Sequence, residues 1–84
     1  MTNYLSMKRI EFHIGILPND SADFREYAVA INMTFPEEDH VEVKSEFDDP
    51  YGYYTIICTG SWLTYEAFAS WPYLKSIEHF EDDN

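Results

Sequence analysis

Strict alternation of apolar and polar residues predicts the first strand, over residues 9–16. The apolar members would share one face: Ile10, Phe12, Ile14 and Ile16. The other members would share the opposite face: Arg9, Glu11, His13 and Gly15. A period of two, with β-branched and aromatic side chains on one face, is typical of a half-buried strand. The turn-forming residues at 18–20 end it.

A helix is predicted next, because the apolar spacing changes from two to a helical repeat. Its apolar stripe follows the positions i, i+3, i+4, i+7 and i+11: Phe24, Tyr27, Ala28, Ile31 and Phe35. Asp20 or Ser21 would cap its N-terminus. Pro36 would end it, since the residue before a proline avoids the helical conformation.

Residues 35–54 predict a β-hairpin. The apolar residues Val41, Val43 and Phe47 alternate with Glu42, Lys44 and Glu46, which predicts one apolar and one charged face. The sequence Asp49-Pro50-Tyr51-Gly52 is typical of a type I turn. The third strand, 53–60, is apolar on both faces, as in a central strand.

A second helix is predicted over residues 62–71, capped by Ser61 or Thr64. Pro72 is tolerated in the first turn of a helix. We therefore expect the helix to continue over residues 72–80, with Leu74, Ile77 and Phe80 facing inward.

The element order predicts an α+β fold. It is β-α-β-β-α, with a mainly antiparallel three-stranded sheet in the order 2-3-1 and both helices packed on one face. Eighty-four residues make a single domain. We expect residues 1–6 and 81–84 to be frayed ends.

Charge narrows the choice of partner. The net charge is −11, yet 45% of the residues are hydrophobic and 18% aromatic, which argues against disorder. A protein this acidic lacks the basic footprint that nucleic acids and anionic membranes require. A basic protein surface is the expected partner.

Cysteine usage and hydropathy predict a cytoplasmic location, which includes the cytoplasm of a host cell. Cys58 is the only cysteine, so no disulfide forms within the chain. No apolar run reaches transmembrane length, and residues 1–9 lack the apolar segment of a signal peptide.

No motif indicates catalysis, a cofactor or a metal. The sequence Glu-Glu-Asp-His at 37–40 lacks the spacing of a calcium loop. His13, His40 and His79 are not spaced as zinc ligands. Cys58 and His13 are the one conceivable nucleophile and base, but they are predicted on opposite faces of the sheet. We therefore expect a protein that is not an enzyme.

The acidic hairpin is the predicted site of partner binding. The residues assigned to it are Glu37, Glu38, Asp39, Glu42, Glu46, Asp48, Asp49, Tyr51 and Tyr53. Side chains two apart on a strand lie about 6.5–7 Å apart, a spacing similar to that of neighbouring phosphates along one nucleic-acid strand. Glu42 and Glu46 are four apart, a separation of about 13 Å. Continued by Asp48-Asp49 and by Glu37-Glu38-Asp39, they would form part of a row that imitates DNA phosphates. Alternatively, the charge protects an edge strand from pairing with another chain.

In size, acidity and lack of catalytic residues, the chain resembles the broad class of small inhibitors encoded by phages and plasmids. This class includes uracil-DNA glycosylase inhibitors, anti-restriction proteins and anti-CRISPR proteins, and bacteriocin immunity proteins are similar. The resemblance covers no alignable segment, so no residue role is carried over. It implies an inhibitor that blocks the nucleic-acid-binding surface of a host protein. The alternatives are an immunity or antitoxin protein with an aromatic-centred interface, and an adaptor whose charge serves solubility.

Overall fold

The computed structural model describes residues 9–80. Four strands and two α-helices follow in the order β1 (Ile10–Ile16), α1 (Ser21–Thr34), β2 (Glu42–Asp48), β3 (Tyr54–Gly60), α2 (Trp62–Ala69) and β4 (Ser76–Phe80). Short 3-10 turns at Pro18–Asp20 and Glu37–Asp39 flank α1. The ends predicted to fray, residues 1–6 and 81–84, lie outside the described residues.

The strands form one sheet in the order β2-β3-β1-β4. Every neighbouring pair is antiparallel. The element order and the strand order together define the split β-α-β, or ferredoxin-like, topology. The predicted α+β class is confirmed, as is the 2-3-1 order of the first three strands, but the sheet has four strands and not three.

The prediction of a helix over residues 72–80 was wrong. Helix α2 ends at Ala69, and the backbone N–H of Leu74 donates to the carbonyl of Trp71 at 3.1 Å in a turn. The chain then pairs with β1, where Ile77 lies opposite Ile14. The pairing gives β1 hydrogen-bonding partners along both of its edges.

Residues 76–80 fit two patterns, which explains the error. Leu74, Ile77 and Phe80 have helical spacing. In the strand, Ile77 faces the helices, whereas Phe80 lies on the opposite side of the sheet. The open edge of β1 decides between the patterns, because unpaired backbone groups beside a core are costly.

Both helices pack on the same face of the sheet, as predicted. The largest fully buried side chains come from that face and from the helices: Phe12, Phe24, Phe68, Ile14, Ile16 and Ile56. The rings of Phe24 and Phe68 stack at 5.3 Å, which joins α1 to α2. Phe68 also contacts Phe12 of β1, at 6.1 Å between ring centroids. Within residues 9–80 the core therefore lies on one side of the sheet, and neither helix of that range covers the other side.

Strand β2 contains a bulge, which overturns the predicted alternation. Val43 lies opposite Cys58, whereas Ser45 lies opposite Ile57, so the register shifts between Val43 and Ser45. Such an extra residue reverses the faces of the residues that follow it. Val43 therefore faces the helices and Phe47 does not.

A hydroxyl in α2 connects this helix to the turn before β2. Thr64 is fully buried, and its hydroxyl donates to the backbone carbonyl of Asp39. The backbone N–H of Thr64 in turn donates to the Ser61 side chain at 3.2 Å. Ser61 is thus the cap of α2, and Thr64 is the link to the acidic turn.

We expect Thr64→Val to lower the free energy of unfolding by about 1–3 kcal/mol, because a buried Asp39 carbonyl would lose its donor. Valine keeps the shape of the side chain, so a cavity does not contribute. Urea denaturation followed by fluorescence measures the change. The control is Thr34→Val at the exposed end of α1, where we expect a change within about 0.5 kcal/mol. Equal effects of the two variants would contradict the link.

Candidate functional site

The candidate site is the face of the sheet that the helices leave uncovered, called the open face below. The strand registers arrange its outward side chains in three rows across β2, β3, β1 and β4. The first row is Glu42, Thr59, Glu11 and Phe80. The second is Ser45, Ile57, His13 and Glu78. The third is Phe47, Thr55, Gly15 and Ser76.

Three carboxylates are spread over this face. Glu42 and Glu11 share a row with one strand between them, which separates them by about 10 Å. Glu78 is diagonal to Glu11 on the neighbouring strand, a separation of about 7–8 Å between backbone positions. They form a triangle and not a line.

Positive charge in the described residues does little to neutralise the protein. The chain has sixteen Asp and Glu and five Lys and Arg. Residues 81–83 and Lys8 lie outside the described part, which leaves thirteen acids and four bases. Arg25 pairs with Glu46 at 3.0 Å and Lys44 with Glu42 at 3.5 Å. The excess of carboxylates leaves a strongly negative surface.

Arg9 lies at one end of β1, and its guanidinium binds backbone groups of the same chain. Its guanidinium donates to the carbonyls of His40 at 2.6 Å and Thr59 at 3.3 Å. These bonds tie the start of β1 to the turn before β2 and to the end of β3. Arg9 is thus a structural clamp.

Half-exposed apolar side chains share the open face with the carboxylates. Phe47 is 46% exposed and Phe80 is 45% exposed. The Phe80 ring packs on His13 at 4.4 Å, and His13 contacts the Glu11 carboxylate at 2.7 Å. Aromatic side chains surrounded by charge are typical of a protein interface.

The acidic turn before β2 adds fewer carboxylates to the accessible surface than predicted. Glu37 and Glu38 are exposed. Asp39 is only 3% exposed, and its Oδ1 has no hydrogen-bond partner among the described residues. Asp39 therefore does not belong to the accessible surface.

The predicted carboxylate row on β2 does not form. Glu42 lies opposite Thr59 on the open face, whereas Glu46 lies opposite Ile56 on the helix side. Asp48 lies opposite Tyr54, on the same side as Glu46. The bulge has placed Glu42 and Glu46 on opposite faces, so the two do not belong to one row of charges.

Glu46 is held in a small polar network. Its Oε1 accepts from the Arg25 guanidinium at 3.0 Å and from the Tyr54 hydroxyl at 2.6 Å. The hydrogen bond to Glu46 raises the pKa of Tyr54 above its ordinary value, and partial burial adds to the shift. Glu46 thus joins β2 to α1 and β3, and its side chain is 24% exposed.

Asp49 organises the hairpin loop. Its Oδ1 accepts from the backbone N–H groups of Tyr51 at 2.8 Å and Tyr53 at 3.2 Å, and its Oδ2 accepts from the Thr55 hydroxyl at 3.3 Å. Gly52 adopts a positive φ of 93° in this loop, a conformation that glycine favours. The Asp49 carboxylate thereby fixes where Tyr51 and Tyr53 stand.

Of the nine predicted residues, four lie on or beside the open face: Glu42, Asp49, Tyr51 and Tyr53. The prediction missed Glu11, Phe47, Glu78 and Phe80. The alternation of β1 could have identified Glu11 as an outward side chain. Glu78 was missed because its segment was predicted to be a helix.

Cys58 and His13 lie on opposite faces of the sheet, as predicted. Cys58 faces the helices and is fully buried. Burial raises its pKa to about 12, with a smaller contribution from the nearby Glu46 charge. A thiol in this state is a poor nucleophile.

Two further findings concern the described residues. Between residues 9 and 80, no three His, Cys, Asp or Glu side chains are grouped as metal ligands. Neither helix in that range is long and apolar enough to cross a membrane.

Comparison with protein-family models, curated proteins and solved structures finds no match to this chain. The function is therefore inferred from the chemistry of the open face.

We expect Glu46→Gln to lower the pKa of Tyr54 towards its ordinary value, because the variant weakens the hydrogen bond that the Tyr54 hydroxyl donates and removes the negative charge beside the phenol. A raised pKa means that the Tyr54 contribution to stability is fully present below about pH 10 and is lost as the pH rises through the folded-state pKa. An NMR titration of the Tyr54 ring measures the shift. The control is Glu42→Gln, on the opposite face, which should leave the Tyr54 titration unchanged. A similar shift in both variants would contradict the assignment of the two faces.

Proposed function

We propose that this protein is a stoichiometric, non-enzymatic inhibitor that binds the basic nucleic-acid-binding surface of another protein. The observation that supports the proposal best is the open face, where three carboxylates and the half-exposed rings of Phe47 and Phe80 lie on one side of a four-stranded sheet. Its charge suits a surface rich in Lys and Arg. The phages and mobile elements that encode similarly small acidic inhibitors are the proposed origin.

The proposal differs from imitation of one phosphate row. The carboxylates of the open face belong to three different strands: Glu42 on β2, Glu11 on β1 and Glu78 on β4. A broad negative surface competes with nucleic acid through its overall potential, and close matching of phosphate positions is not needed.

The scaffold favours rapid and tight association. The carboxylates stand on paired strands, so binding does not have to order a flexible acidic segment. Negative charge also accelerates encounter with a basic cleft. Apolar contacts from Phe47 and Phe80 would then slow dissociation, since buried rings contribute most to many interfaces.

An immunity or antitoxin function with an aromatic-centred interface is the second candidate. Tyr51 is 85% exposed at the tip of the hairpin, and Tyr53 is 43% exposed beside it. Rings displayed this openly have little role in the core. In this case charge would serve the association rate, while the rings would supply most of the affinity.

We expect the double variant Glu11→Gln/Glu42→Gln to weaken binding to a captured nucleic-acid-binding protein by about tenfold at low salt, since each exposed ion pair contributes up to about 1 kcal/mol. The partner is captured from host lysate, identified by mass spectrometry and purified. Fluorescence anisotropy then measures whether the protein displaces labelled DNA from it.

The matched control is Glu26→Gln/Glu66→Gln, which removes the same charge from the helices. This control should displace DNA nearly as well as the unmodified protein does. If both double variants lose activity equally, the open face is not the interface. If no DNA is displaced by the unmodified protein, the inhibitor proposal fails.

The aromatic alternative makes a different prediction in the same assay. Tyr51→Ala and Tyr53→Ala should each weaken the complex by about 2 kcal/mol or more if the rings are central anchors, with little change in salt dependence. Under the inhibitor proposal, the carboxylate variants have the larger effect, and raising the salt reduces it because exposed charges are screened. Dissociation constants measured at two salt concentrations separate the two functions.

A further inference from the structure

The open face is not flat beside the hairpin tip. A depression of about 420 Å³ opens there between the hairpin and β4, a volume within the usual range of ligand pockets. Its floor is formed by β1, at His13 and Gly15. Its walls include Asp49, Tyr51, Tyr53 and Glu78. We call this the tip depression.

The floor of the tip depression contains a glycine. A Cβ on Gly15 would collide with the Ser76 hydroxyl on the neighbouring strand, so the absence of a side chain lets Ser76 approach β1. The strands form the floor, and the hairpin loop contributes Asp49, Tyr51 and Tyr53 to the walls.

The chemistry of the walls favours a cation. Among residues 9–80, two carboxylates line the tip depression, and no Lys or Arg does. The Asp49 carboxylate already accepts three hydrogen bonds from the loop. Glu78 has no ion-pair partner within residues 9–80. Glu78 is thus the carboxylate available to an incoming group.

The tyrosine rings distinguish between cations. A guanidinium is flat, stacks on aromatic rings and binds a carboxylate through two parallel hydrogen bonds. An ammonium is compact and more strongly hydrated, so it gains less from a ring at an exposed site. Tyr51 and Tyr53 lie in the hairpin before β3, and Glu78 lies on β4, with β1 between the two strands.

We infer that the tip depression receives an arginine side chain of the protein partner, with the guanidinium paired to Glu78 and packed against Tyr51 or Tyr53. The inference rests on the proposed function, because it names the group that the open face recognises in a basic partner. It assigns the hairpin tip the role of selecting arginine, while Glu11 and Glu42 provide general attraction.

NMR titration of the full-length ¹⁵N-labelled protein tests the inference. The probes are N-acetyl-arginine amide, the corresponding lysine compound, and the citrulline compound, which keeps the planar shape without the charge. We expect the arginine probe to shift the amide signals of Gly15, Thr55 and Glu78. It should bind about two- to fivefold more tightly than the lysine probe, and the citrulline probe should not bind measurably.

Variants locate the contact. Glu78→Gln should weaken the arginine probe by about fivefold, the upper end for an exposed ion pair. If the guanidinium stacks on Tyr51, Tyr51→Ala should remove the preference for arginine over lysine. If it stacks on Tyr53, Tyr53→Ala should remove that preference. The control Glu66→Gln removes the same charge from α2 and should change neither result. These side chains are exposed, so the variants should fold normally.

The outcomes separate this inference from the proposed function. Equal binding of arginine and lysine, or equal weakening by Glu78→Gln and Glu66→Gln, would overturn the arginine site. If Glu11→Gln/Glu42→Gln still weakens inhibition of the captured partner in that case, the proposed function stands alone. If the arginine probe binds as expected but the unmodified protein displaces no DNA, the site remains and the inhibitor function fails.

Discussion

The helices of this protein bury one face of the sheet, and they do so through a small cluster of aromatic rings. Phe68 contacts Phe24 on one side and Phe12 on the other, so α1, α2 and β1 meet at a single ring. A chain of 84 residues has enough apolar surface for one such core. The opposite face is not covered by either helix, and it is there that the carboxylates and half-exposed rings of the candidate site lie.

The bulge in β2 determines how the charge of the edge strand is used. Before the bulge, Glu42 faces outward on the open face; after it, Glu46 points to the helix side, where Arg25 and Tyr54 hold it. Bulges also protect edge strands from pairing with other chains. One extra residue thus gives Glu46 a structural role and leaves Glu42 exposed. The charge that remains on the open face comes from three separate strands.

The hairpin tip and β4 line the same depression because the sheet has a fourth strand. Glu78 lies on β4 and Tyr53 precedes β3, and β1 separates the two strands in the sheet. A three-stranded sheet would have offered the tip no opposing wall. The fourth strand therefore creates the depression as well as completing the hydrogen bonding of β1.

Periodicity and local capping residues were enough to predict the elements whose patterns fit only one kind of structure. The alternation of β1 and the helical stripe of α1 each match one period, and Ser61 and Asp49 are local caps that act on neighbouring backbone groups. The α+β class and the order of the first three strands followed from these. Tertiary structure decided the remainder. Residues 76–80 fitted both a strand and a helix until the free edge of β1 selected the strand. The bulge between Val43 and Ser45 exists only in the pairing with β3, so the faces of Glu42 and Glu46 could not be predicted from alternation. A binding surface assembled across four strands depends on register, and register is a property of paired strands and not of any one of them.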